Sequence, residues 1–212
     1  MGGTIRRLRQ CGWEWHIISV CNDYGDEYVS NRRRSYFETS CKELGARSTA
    51  LDFHDYQDRT RASIANSVDE ITNAIRDAVC GEQYDCVFTH HKQGEYGPHP
   101  NHTEVTEAVD ALVSNGDLAQ NVARFSYGQV YSWDAIKGYR GLANVADRKN
   151  ATHYLQLTYD ELLLKANLIR CHPLPQIVKN LQDDLGAPCP NPEAFQGSGA
   201  CLPTPPFLRR KT

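Results

Sequence analysis

The sequence predicts an α/β fold with a largely parallel sheet, and three observations point that way. Short apolar runs rich in β-branched residues, such as His16-Ile17-Ile18-Ser19-Val20, alternate with longer stretches of helical periodicity. Glycines close those stretches at Gly12, Gly45 and Gly81, where a left-handed residue ends a helix at little cost. Strands alternating with helices of roughly 10 to 20 residues imply right-handed crossovers between parallel neighbours.

In chain order, Ile5, Leu8 and Cys11 recur three apart ahead of Gly12 and predict a short helix over 4–11. Residues 13–20 read as a strand buried on both faces, and 31–44 as a second helix with Phe37, Cys41 and Leu44 on one side and Gly45 as its cap. A strand over 49–53 follows. The clearest helix is 61–80, where Ile64, Val68, Ile71, Ile75 and Val79 recur at spacings of four and three. Residues 85–90 form a strand leading into a Gly- and Pro-containing loop, and a helix over 100–114 turns Val105, Ala108, Val109 and Leu112 inward. The second half is less regular, with strands over 125–133 and 152–157, a helix over 159–170 and a helical continuation over 174–181. From Gly186 the Pro and Gly content rises, which predicts one domain over 1–185 and an extended C-terminal arm over 186–212.

Composition narrows the partners. The chain has 212 residues, 40% hydrophobic and 23% charged, which excludes collagen, coiled coil and disorder. A net charge of −3 supplies no pull toward nucleic acid or anionic lipid. No apolar run approaches the roughly 18 residues that cross a bilayer. The segment Met1 to Arg9 has no apolar signal-peptide region, so the expected compartment is the cytoplasm and the expected partner a small molecule. Oligomeric state is left open. Eight cysteines without a Cys-x-x-Cys pair read as reduced core residues rather than a zinc ribbon or redox motif. The sequons at Asn101 and Asn150 carry little weight without a secretion signal.

Parallel sheets bind ligands at the carboxyl ends of their strands. The richest loop at such an end is Gly94-Glu95-Tyr96-Gly97-Pro98-His99-Pro100-Asn101-His102. His99 and His102 are three apart, and Pro100 suits the first helical position, so both rings project from one side of a first helical turn. That side continues through Val105 and Leu112, which turns the imidazoles toward the strand ends, where a metal or a reacting carbonyl could sit.

Gly94-Glu95-Tyr96-Gly97 followed by His99-Pro100-Asn101-His102 resembles the signature of the PIG-L / LmbE-like zinc-dependent deacetylases, which act on N-acetylglucosamine-type sugars. Gly2-Gly3-Thr4-Ile5 and the segment from Glu14 to Val20 resemble that family's first helix and second strand. Arg33 and the segment from Leu51 to Asp55 also fall in the family's order, and the likeness covers about 2–110, with 159–172 matched more loosely. The resemblance implies a three-layer Rossmann-like sandwich and hydrolytic deacetylation by a zinc-activated water. It makes His102 a zinc ligand, places His99 and Tyr96 beside the substrate carbonyl, and sets Arg33 and Asp55 against the sugar. The chemical logic is that an amide resists hydrolysis until a metal polarises its carbonyl and lowers the pKa of a bound water to about 7.

The family draws its other two zinc ligands and its general base from a His-Pro-Asp-Asp motif ending the first strand, just ahead of the Gly-Gly-Thr-Ile helix. The sequence opens at Met1-Gly2-Gly3, so the first strand, those ligands and the base are expected to be missing. His54-Asp55 and His90-His91 stand in the wrong order to replace them, and Pro98 is inserted between Gly97 and His99. The expectation is weak zinc binding and impaired hydrolysis. Three readings stay open: a longer active protein whose start was set internally, an inactive homologue that binds a sugar conjugate without cleaving it, and another α/β enzyme such as a nucleotide-binding transferase. The last has no Gly-x-Gly-x-x-Gly or Walker motif behind it.

Overall fold

A computed structural model describes residues 1–55, 66–92, 100–125, 127–129, 144–146, 151–170, 193–197 and 208–209. The chain opens with α1 (Gly2–Gln10), β1 (His16–Ser19), α2 (Glu27–Leu44) and β2 (Arg47–Ala50). α2 starts ahead of the apolar periodicity because Asp26 caps it, its carboxylate accepting the Val29 N–H at 2.9 Å. It ends at Gly45, whose φ of +66° is the left-handed conformation that the sequence predicts there.

α3 (Val68–Val79), β3 (Val87–Thr89), α4 (Pro100–Asn115) and β4 (Val122–Phe125) follow. Ser67 caps α3, its hydroxyl accepting the Glu70 N–H, so the described helix begins later than the predicted 61–80; residues 61–65 lie outside the described residues. The predicted strand over 125–133 resolves into the end of β4 and β5 (Tyr127–Gln129), which pairs antiparallel with β6 (Asn144–Ala146). β7 (His153–Leu155), α5 (Tyr159–Arg170), β8 (Glu193–Gly197) and β9 (Leu208–Arg209) complete the described elements. The helical reading of 174–181 falls outside them.

The crossover units β1-α2-β2 and β3-α4-β4 have the parallel pairing that the alternation implies. Beyond β4 the pattern changes, because β8, β7 and β9 return from the C-terminal part and pair antiparallel in a sheet ordered β3-β4-β8-β7-β9. β8 comes from the segment read as an arm, yet it lies between β4 and β7. Gly197 fits there because a Cβ would stand 2.6 Å from the Val122 carbonyl oxygen.

Two cores sandwich the strands. On one side Val20, Ile71, Ile75, Val79, Val109 and Leu112 join β1 to α3 and α4. On the other Leu8, Ala123, Leu155, Leu157 and Phe195 join α1 to β4, β7 and β8. Gly3 lets α1 approach closely, since a Cβ there would meet Leu157 at 2.4 Å. Glu193, fully buried in β8, ties this side together: it accepts from the Thr4 N–H at 2.8 Å and hydroxyl at 2.5 Å, and pairs with Lys165 at 3.0 Å and the Met1 amino group at 3.2 Å. Burial alone would raise the Glu193 pKa, but the two cations and the Thr4 bonds hold it well below the usual carboxylate range.

The sheet is in two pieces: among the described residues β1 pairs only with β2 and β3 only with β4, and no strand lies between β1 and β3. The cysteine reading needs one correction. Cys11, Cys21, Cys41 and Cys80 are free thiols, but Cys86 is disulfide-bonded. Scattered spacing does not reveal connectivity, which is why the sequence missed it. No described helix is long and apolar enough to cross a membrane.

Candidate active site

The carboxyl ends of β1, β2 and β3 meet the first turn of α4, as the crossover geometry requires. The chain leaving β2 delivers His54 and Asp55, the chain leaving β1 delivers Asp23, β3 runs into His90 and His91, and α4 begins with Pro100, Asn101 and His102. These groups bind one another. Arg33, nearly two turns into α2, forms an ion pair with the Asp55 carboxylate, and both side chains are largely buried. The other Asp55 oxygen accepts from Asn101 Nδ2 at 2.9 Å, so one carboxylate ties α2 to the start of α4. Asn101 is buried by this contact, a structural reason why its sequon is not an exposed acceptor.

His102 stacks on His90, with ring centroids 4.1 Å apart and planes 9° apart, and Phe125 stands edge-on to His90 at 5.5 Å. The first turn of α4 thus turns His102 toward the end of β3, as its spacing to Val105 and Leu112 predicts. The His90 carbonyl accepts from Arg124 Nη1 at 3.1 Å, and the His91 ring meets Gln196 at 2.9 Å. To one side His54 Nδ1 meets Asp23 at 2.9 Å, while the Asn66 side chain brackets the His54 backbone and donates to Glu104 at 3.0 Å. The Cys21 thiol is pushed up to about 12 by burial and then by Asp55 and Glu104, which disfavours its thiolate.

Tyr96 and His99 lie outside the described residues. Arg33, Asp55 and His102 are brought into one neighbourhood through Asn101. Spacing alone did not single out the His90 stack, the Asn101 bridge or the Asn66–Glu104 contact. The doublet His90-His91 at a strand end was the one available signal, and it does not say which ring turns inward.

A family model described as PIG-L, GlcNAc-PI de-N-acetylase, matches residues 1–113, just over half of the chain. The chain belongs to this family. No curated protein matches the de-N-acetylase family chain in sequence. Among solved structures it is similar to a triple mutant of the deacetylase in the teicoplanin biosynthetic pathway, with TM-score 0.60 and 13% identity over 100% of this chain and 92% of that one. It is similar also to a zinc-inhibited form of teicoplanin deacetylase, with TM-score 0.54 and 13% identity over 88% and 79%. A third is the 4-carboxy-2-hydroxymuconate hydratase of Pseudomonas putida, with TM-score 0.57 and 17% identity over 100% and 91%. At such identities the likeness carries the fold, and a hydratase among the neighbours shows that the fold alone does not choose the chemistry.

A catalytic zinc takes three protein ligands and leaves one position open. Among the described residues of this de-N-acetylase family chain no group of three or more His, Cys, Asp or Glu side chains is placed to hold a metal ion. His90 does not supply a second ligand beside His102. Two imidazoles on one ion aim their nitrogens at a point common to both ring planes, and nearly parallel rings 4.1 Å apart share no such point. The described donors therefore do not fit a catalytic zinc.

Proposed function

We propose that this chain binds an N-acetylated amino-sugar conjugate and serves hydrolytic de-N-acetylation, in which amide and water give a free amine and acetate. The observation that carries the reading is the family match, whose span includes Arg33, Asp55, Tyr96, His99 and His102 in order. Arg33 and Asp55 are the sugar-side residues, with Asp55 also fixing Asn101 and hence the helix turn that bears His102. Tyr96 and His99 donate to the carbonyl oxygen as charge develops on it, the kind of contact worth about 2.7–4 kcal/mol in the transition state. Zinc is the ion the family implies and His102 its ligand. With one ligand among the described residues, hydrolysis by the chain as it stands is impaired.

The test is saturation-transfer NMR on a panel of N-acetylglucosamine conjugates, with amine release followed in parallel with and without added zinc. A saturable signal from the N-acetyl methyl group is expected for at least one conjugate. Arg33→Lys should weaken it about tenfold, or about 1.4 kcal/mol, because an ammonium does not reproduce the guanidinium fork. Amine release should be slow. Failure of every N-acetylated sugar to bind would overturn the reading, and binding with no release at all would favour a non-hydrolytic homologue.

A further inference from the structure

Among the described residues no strand pairing joins the two pieces of the sheet. The Trp15 and Ser19 carbonyls accept from the Arg47 and Leu51 N–H groups on the β2 side, and the Val87 N–H donates to the Asn121 carbonyl on the β4 side. Backbone groups alternate in direction along a strand, so those of His16, Ile18 and Phe88 turn away from β2 and β4 toward the space between. At the amino ends of β1 and β3 it is side chains that cross. Trp15 and Phe88 touch, with ring centroids 4.9 Å apart. Beside them His16, which opens β1, meets Tyr84, just ahead of β3: Nδ1 lies 2.7 Å from the hydroxyl and the rings stack.

The neighbours of the His16 ring fix its protonation state. Nε2 lies 2.8 Å from the Thr49 hydroxyl, and Nδ1 lies 3.0 Å from Arg47 Nη2. A guanidinium carries hydrogens and no acceptor, so Nδ1 presents its lone pair and the proton sits on Nε2, donating to Thr49. A second proton, on Nδ1, would face the Arg47 cation N–H to N–H. Arg47 in turn pairs with both Glu82 oxygens and donates to the Tyr84 hydroxyl at 2.9 Å, and that hydroxyl donates to Glu82 at 2.9 Å. The charged and titratable groups facing the ring are thus Arg47 from β2, and Glu82 and Tyr84 from the segment between α3 and β3. Glu82 is held down at about 2 by Arg47 and then Tyr84, so it stays ionised. The His16 imidazole is held below its ordinary value by burial first and then by Arg47, with Glu82 opposing. The Arg47 and Glu82 side chains are 51% and 38% exposed, so water reaches the cluster, and an ion pair so placed is weak by itself.

We propose that His16, Arg47, Tyr84 and Glu82 form an acid-sensitive latch between the two pieces of the sheet, closed while His16 is neutral and opened when a proton on Nδ1 drives off Arg47 and, with it, the segment bearing Glu82 and Tyr84. The latch lies opposite the candidate site. One piece leads to Arg33 and Asp55 and the other to His90 and His102, joined at the carboxyl ends by the bond from Asn101 to Asp55. Val20 of β1 and Val87 of β3 both pack on the layer of α3 and α4, which serves as the hinge. Opening at the amino ends therefore changes the angle at which the two halves of the site face each other, whatever chemistry the site performs. The folded value of His16 lies below the unfolded one, so the latch contributes fully above about pH 6.5 and is lost as pH falls through that lower folded value.

An NMR titration of the full chain from about pH 8 to about pH 5, above the range in which Glu193 titrates, tests this. It follows the His16 ring protons together with the cross-peaks of His16 to Tyr84 and of Trp15 to Phe88. His16 should titrate below about 6.5, and both cross-peaks should be lost in step with it. In His16→Asn, whose Oδ1 accepts from Arg47 in place of Nδ1 and does not titrate, the Trp15–Phe88 cross-peak should persist across the whole range. Arg47→Gln removes the cation and should move the His16 midpoint and the opening upward together. The unaltered chain decides alone if a variant does not fold. The proposal is overturned if the cross-peaks survive protonation of His16 or vanish away from its midpoint, or if His16→Asn loses the Trp15–Phe88 contact at the same pH as the unaltered chain. It is overturned equally if His16 titrates at its ordinary value or if Arg47→Gln leaves its midpoint unmoved.

Discussion

In β7 and β8 the side chains of Leu155, Ala194 and Phe195 are wholly shielded from solvent and a buried carboxylate is ion-paired on two sides, whereas every residue of β1 and two of the three in β3 are only half-buried. Both regions are covered by helices. They differ at the strand edges: among the described residues β7 and β8 have neighbours on both sides, while β1 and β3 each have a neighbour on one side and a slot of about 1030 Å3 on the other. Apolar composition alone does not shield a parallel strand, since Ile17 and Ile18 are as apolar as Leu155. Closure of both edges does so.

The comparison breaks most sharply at Glu193. Glu193→Gln leaves Lys165 and the Met1 amino group without their buried counter-charge and should cost about 3–5 kcal/mol, read as a fall in the denaturant midpoint. The same contact sets an acid limit. Because the folded carboxyl is held below its unfolded value of about 4.3, its contribution is complete above that pH and is lost progressively as pH falls below it, which a series of acid melts will show. Next in size is a matched pair in the two regions. Leu155→Ala should cost about 2–5 kcal/mol, as for a sealed core site, while Ile17→Ala beside the slot should cost less than half as much, because part of its surface is already exposed. Equal losses would mean that the slot is no looser than the rest.

Much of this was legible in the chain. The helices came from periodicity and glycine caps, and the parallel units from alternation. The loop motif led to His102. β8 was hidden because Glu193-Ala194-Phe195-Gln196-Gly197 lies among prolines and glycines and begins with a glutamate, whose burial makes sense only with Lys165, Thr4 and Met1 around it. The bond from Asn101 to Asp55 and the stack of His102 on His90 were hidden for the same reason. Each joins loops distant in sequence, and neither partner's spacing encodes the other.

Amide hydrogen exchange on the intact chain tests the split sheet most directly. Exchange at His16, Ile18 and Phe88, facing the slot, should be at least about tenfold faster than at Tyr154, Ala194 and Phe195 in the closed region. Equal protection of the two sets would contradict the account, because it would mean that β1 and β3 already have neighbours on both edges.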